Sequence, residues 1–157
     1  MASQDALNYA KALGIFAGGI AAGTNSSISF LVMPAILYPR TTPPKDLHAQ
    51  WKHLYDHGKF TLPPLAIIAG AAFSYVAYHD ESLRVSYGIA AVSTLGIIPF
   101  TLVGMGANLG ALLEQRSWGD ADKGRLRELL WRWSGLNWYR AVMLGVGFAT
   151  ALVKAIC

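Results

Sequence analysis

The chain has 157 residues, 54% of them hydrophobic and only 14% charged, with a formal net charge of +4. A soluble globular domain carries about 25% charged residues, so this composition excludes an ordinary water-soluble fold. The basic excess does not suit nucleic acid either, because the bases are interspersed with acids and flank long uncharged runs.

No Asp, Glu, Lys, Arg or His occurs from Ala12 to Pro39, from Phe60 to Tyr78 or from Val85 to Leu113, runs of 28, 19 and 29 residues. A fourth run, Trp133 to Val153, is broken only by Arg140. A helix needs about 20 apolar residues to cross a bilayer, and the period-2 alternation of a membrane barrel is absent. The expected fold is all-α: an integral membrane bundle of four transmembrane helices near residues 6–38, 60–79, 83–114 and 122–155. A short interfacial helix is expected near 46–59, and residues 1–157 are read as a single membrane domain.

Helix 1 is too long for a cleaved signal core of about 7 to 15 residues, and Asn25-Ser26-Ser27 interrupts it where such a core is continuous. Pro34 disfavours its continuation. In the loop that follows, Lys52 and Asp56 form an i,i+4 ion pair, while Trp51, Tyr55 and Gly58 share one helical face. Pro63-Pro64 suits the first turn of helix 2. Pro99 should kink helix 3 and free a carbonyl near Leu95. In RSWGDADKG, Asp120 or Asp122 is the expected cap of helix 4. The single cysteine, Cys157, excludes an intrachain disulfide and forms no prenylation box.

Nine Lys and Arg lie in segments 40–59 and 114–132, against Lys11, Arg84 and Lys154 at the other end. The positive-inside rule therefore places both long loops in the cytoplasm, on an intracellular membrane. Small residues at GxxxG spacing (Gly14 with Gly18, Gly19 with Gly23, Gly106 with Gly110) point to close helix packing in lipid, with a homo-oligomeric seam as the alternative.

Polar residues inside a span are costly and therefore informative. Trp133, Asn137 and Arg140 form a stripe at i, i+4 and i+7; Asn25 with Ser29 and Thr101 with Asn108 mark helices 1 and 3. All lie toward the cytoplasmic ends, as does WKHLYDHGKF (51–60), so a membrane-embedded pocket opening to the cytoplasmic leaflet is expected. Lys52, Asp56 and Lys59 read as a solvated face. His53 and His57 share another face, but no third metal ligand is spaced to join them, and a neutral interfacial or general-base role stays open.

AGGIAAGTNSSISFLVMPAIL (17–37), WKHLYDHGKFTLPPLA (51–66), LGIIPFTLVGMGANLGALL (95–113) and LLWRWSGLNWYRAVM (129–143) together resemble the fungal anthrone oxygenase family, small four-helix membrane proteins of polyketide pathways. Its patterns W-x3-Y-D-x-G-x4-P-P and W-x3-N-x2-R match here at Trp51, Tyr55, Gly58, Pro63, Trp133, Asn137 and Arg140, and Pro99, Thr101 and Asn108 match as well; His53 and His57 are not part of it. The resemblance implies oxidation of an anthrone-type polyketide to an anthraquinone by dioxygen, as a monooxygenase with no metal or flavin cofactor.

On that reading Trp51, Tyr55 and Trp133 hold the aromatic plane, with Asn25, Ser29 and Thr101 as further substrate contacts. Arg140, Asn108 and Asn137 bind the anthrolate oxygen. The proton goes to His53, His57 or a Tyr55 made more acidic by the nearby cation. The rival readings are a non-catalytic membrane scaffold, whose polar residues would pair only with one another, and a small-molecule carrier. Membrane lipid is the expected surroundings in each case.

Overall fold

The computed structural model describes residues 3–115 and 117–156. Arg116 and Cys157, used above in the charge and cysteine arguments, lie outside the described residues. Among the described residues every regular element is a helix. Four are long and apolar enough to cross a membrane: α1 (Gln4–Leu37), α2 (Pro44–His79), α3 (Arg84–Gly104) and α5 (Asp120–Ile156). The short α4 (Gly106–Glu114) follows α3.

The separate interfacial helix expected over 46–59 is not an element of its own, because α2 runs unbroken through 36 residues and carries Pro63 and Pro64 in its interior. The prolines leave the carbonyls of Lys59 and Phe60 without their usual donors, and this loss falls at exposed residues where the helix enters its apolar run. Burial holds the first turns in register: Leu47 and Trp51 are fully buried in one cluster with Leu126, Leu130 and Trp133 of α5.

Two other prolines act differently. Ile28–Val32, just before Pro34, and Phe100–Gly104, just after Pro99, are wound as π-helix. The wider turn absorbs a missing donor without ending the helix, so α1 passes Pro34 and continues to Leu37. The interruption expected at Pro99 is spread over the π stretch and completed at Met105, which divides the expected helix over 83–114 into α3 and α4. At the start of α5, Asp122 Oδ2 accepts from the Gly119 amide at 3.2 Å.

The four long helices form a ring: α1 packs on α2 and α5, and α3 closes the square against the same two. One end of the core is built from small residues around Phe73 and Tyr87, whose hydroxyl donates to the Ala151 carbonyl at 3.3 Å. The other end is filled by Trp51, Trp118 and Trp133 with Leu and Met. At the small-residue end Lys11 reaches Asp80 at 3.7 Å. The Ser82 hydroxyl, helped by the Leu83 amide and Lys11, holds the Asp80 carboxyl below the usual carboxylate range. Its contribution to stability is therefore present above the ordinary Asp pKa and lost as pH falls through the lowered one.

The glycine pattern separates into contact and surface positions. A Cβ on Gly14 would meet the Phe73 ring at 2.6 Å and one on Gly19 the Phe148 ring at 3.0 Å, whereas Gly23 and Gly106 face open space. The tightest approach lies outside those pairs. A Cβ on Gly147 would collide with Thr94 Oγ1 and sit 2.9 Å from the Ala90 backbone carbonyl, which cannot rotate away. Gly147→Ala is expected to push α5 off α3 and cost about 1–3 kcal/mol, read as a lower thermal midpoint in detergent. Gly23→Ala, at an open position, is the control.

Candidate functional site

Where α3 loosens into π-helix, the ring leaves a cavity of about 90 Å³. Small-molecule sites span roughly 300–1,000 Å³, so a tricyclic ligand enters this one only if side chains along its wall move aside. Trp133, Asn137 and Arg140 line it from α5, and Tyr55, Gly58, Lys59 and Pro63 from α2. Thr101 and Met105 close it from the α3 side.

The α5 wall is a fixed hydrogen-bonding series. Asn137 Nδ2 donates to the Trp133 carbonyl at 3.0 Å, and Asn137 Oδ1 accepts from Arg140 Nη1 at 3.1 Å. The amide thus orients the guanidinium. Arg140 Nε and Trp133 Nε1 are buried donors with no partner among the described residues, and an unpaired buried donor costs about 1–3 kcal/mol. Two unused donors on a cavity wall are suited to a ligand oxygen.

Across from them, Tyr55 stacks on Trp51 with ring centroids 5.4 Å apart and 15° between planes. Trp51 is fully buried, edge-on to Trp133 at 5.8 Å, so it backs the wall rather than lining it. Lys59 also lines the cavity, its ammonium 2.7 Å from Asp56 and 5.4 Å from the centre of the Tyr55 ring. The sequence placed Lys59 on a solvated face; its spacing of i+4 from Tyr55 was the signal that it shares the Tyr55 side of the helix.

The remaining predicted residues do not all converge. Thr101 lines the cavity and donates to the Ile97 carbonyl at 2.7 Å. Asn108 is buried beside the cavity without lining it and donates to the Leu129 carbonyl at 3.1 Å, while its Oδ1 has no partner. Asn25 is fully buried with neither amide atom paired, one turn before Ile28, which does line the cavity. Ser29 instead reaches the Ser134 carbonyl at 3.4 Å and borders an outer groove with Phe30 and Trp138. His53 and His57 are exposed and contribute nothing to the lining; His57 Nδ1–H donates to the His53 carbonyl at 2.8 Å. Among the described residues no group of three or more His, Cys, Asp and Glu gathers as a metal set.

A second, almost wholly apolar cavity shares Pro63, Thr101 and Arg140 with the first. Ile97, Ile98 and Leu102 complete it, and Leu102 is 72% exposed on the outer surface of α3. Arg140 stands where the two spaces meet.

A family profile described as Anthrone oxygenase matches residues 51–150, a span holding every lining residue except Ile28. Over 72% of its length the chain is 34% identical to anthrone oxygenase encC of Aspergillus fumigatus, spanning 65% of that protein. It is 30% identical to anthrone oxygenase gedH of Aspergillus terreus, covering 78% of this chain and 83% of the relative. It is 28% identical to monooxygenase hypC of Dothistroma septosporum, covering 82% and 72% respectively. No solved structure matches the chain.

Proposed function

The chain belongs to the anthrone oxygenase family, and from that premise we propose that it is a membrane-embedded enzyme oxidising an anthrone-type polyketide to an anthraquinone with dioxygen. The observation that carries this reading is the cavity wall of Trp133, Asn137 and Arg140 facing Tyr55. A scaffold whose polar residues only satisfied one another would have no such space. The nine basic residues of segments 40–59 and 114–132 support a cytoplasmic position for that end of the bundle.

The chemistry asks for little machinery. Removing one proton from the methylene opposite the ketone gives an aromatic anthrolate, and that electron-rich anion passes one electron to dioxygen. The substrate radical and superoxide combine into a carbon-bound peroxide. Protonation of the peroxide and loss of water, with the second methylene hydrogen leaving as a proton, give the quinone; one dioxygen supplies one quinone oxygen and one water oxygen. No step in this sequence calls for a cofactor. Elemental analysis of active protein tests that point, and stoichiometric iron or copper would overturn it.

In this scheme the flat apolar ring system lies against Tyr55 and Trp133, where aromatic faces favour offset or edge contact. The ketone oxygen, which becomes the anthrolate oxygen, is held by Arg140, oriented by Asn137. The apolar side cavity between α2 and α3 gives the substrate a route from lipid to Arg140 without crossing water. His53 and His57 have no place in the scheme. Single alanine variants are expected to keep kcat/KM within about twofold and leave the pH–rate profile unchanged; a tenfold loss would return them to the proton-transfer role.

The test of the reaction itself is to incubate purified protein with an anthrone under air and under argon, following quinone absorbance against the spontaneous background. Oxygen-dependent acceleration supports the enzyme reading. A rate equal to the background in a correctly folded sample sinks it.

A further inference from the structure

We propose that a basic groove between the end of α1 and the first turns of α5 binds the phosphate headgroup of an anionic phospholipid. It is an open trough of about 630 Å³, separate from the oxygenase cavity. Three cations line it, Arg40, Lys123 and Arg127, and no carboxylate does. None of the three pairs with an acid among the described residues.

The groove is built rather than incidental. Arg127 Nη1 and Nη2 donate to the carbonyls of Leu37 and Pro39 at 2.8 and 2.6 Å, so the end of α1 and the residues just after it fix the guanidinium in place. Arg127 Nε is buried without a partner. Spending two donors on neutral carbonyls leaves the positive charge uncompensated. The nearest acids in sequence are turned to other uses: Asp122 accepts from the Gly119 amide, and Glu128 is exposed and outside the lining.

Its depth points to a lipid and not to a soluble anion. The uncharged run that includes α1 ends at Pro39 and the apolar run of α5 begins at Trp133, so the groove sits where both leave the apolar zone. Tyr38 and Trp131 line it and are 88% and 54% exposed. Amphipathic aromatics at that level mark the headgroup layer, and basic pockets between helices on the cytoplasmic side are the chemistry that recognises anionic headgroups. The inference rests on the membrane placement alone and stands whether or not the oxygenase reading does.

The experiment uses the full chain in phosphatidylcholine nanodiscs with and without phosphatidylglycerol, with retained lipid counted by native mass spectrometry. Wild type is expected to retain phosphatidylglycerol preferentially. The double variant Arg40→Gln, Lys123→Gln should lose that preference by on the order of 30-fold, and each single variant by about fivefold. Arg84→Gln with Lys154→Gln, which removes two cations at the opposite end of the bundle, should retain it. Both residues to be changed lie off the oxygenase cavity, and an unaltered melting curve in pure phosphatidylcholine confirms folding; if the double variant does not melt cooperatively, the single variants carry the test. Equal retention by the groove variants overturns the proposal, as does equal loss in the opposite-end control. Displacement of the lipid by millimolar inorganic phosphate also overturns it, since that would make the groove a site for free anions.

Discussion

Replacing Arg140 with leucine is expected to lower kcat for quinone formation by about 10²–10³ while leaving KM nearly unchanged and raising the melting temperature. The three parts of that result have one origin. A neutral anthrone gains little from a cation before its proton leaves, whereas the anthrolate gains much; losing one oriented donor to a developing oxyanion costs roughly 2.7–4 kcal/mol of barrier. Stability should move the other way. A charged side chain costs about 2.5–3.5 kcal/mol at the centre of a span and less toward its end, where Arg140 sits, and Arg140 recovers little of that cost, since among the described residues its hydrogen bond is to Asn137 on its own helix and its Nε is unpaired. Arg140→Lys keeps the charge and loses the fork, so an intermediate rate is expected. Full activity in a well-folded Arg140→Leu protein would remove the guanidinium from the chemistry.

The number of long helices was legible because charge is absent from three runs and nearly so from a fourth, and lipid-length apolar runs have few other solutions. Local rules misjudged the prolines. Pro63-Pro64 read as a helix start because a proline lacks the donor that an interior turn uses, yet α2 passes through both, held in register by Trp51 and Leu47 in the distant aromatic core. Tertiary burial outweighed local preference there. The π stretches at Ile28–Val32 and Phe100–Gly104 had only Pro34 and Pro99 as signals, and a proline predicts a disturbance without saying which kind.

The site was legible in proportion to how strongly a residue objects to lipid. Trp133, Asn137 and Arg140 stood out as a helical stripe, and the structure places all three on the cavity. Ser29 carried a weaker signal and borders an outer groove instead, because a serine can satisfy itself on any nearby carbonyl. The loss of the histidines from the lining has a geometric cause. His53 and His57 lie two residues either side of Tyr55, about 200° around a helix from it, so a turn that aims Tyr55 inward aims both of them out. Lys59 does two things at once: it is exposed and paired with Asp56, as a wet face implies, and it also lies on the Tyr55 side of the helix and lines the cavity.

With the histidines turned outward, the proposed reaction assigns proton transfer to Tyr55, and Tyr55→Phe separates that role from its packing. Phenylalanine keeps the ring that stacks on Trp51 at 5.4 Å, and among the described residues the tyrosine hydroxyl has no hydrogen-bond partner whose loss would disturb the fold. Binding should therefore persist, with KM within about threefold of wild type. Without the hydroxyl, proton removal from the methylene falls to solvent, and kcat is expected to drop by about 10²–10⁴, the usual range for a positioned acid or base. A matching readout is the kinetic isotope effect on an anthrone deuterated at the methylene, which should rise as proton transfer becomes the slow step. Lys59→Met sharpens the assignment: removing the ammonium 5.4 Å from the ring while keeping the phenol should lower kcat by far less than Tyr55→Phe does. A Tyr55→Phe enzyme with wild-type kcat and an unchanged isotope effect would exclude Tyr55 from proton transfer and leave the ring with a packing role only.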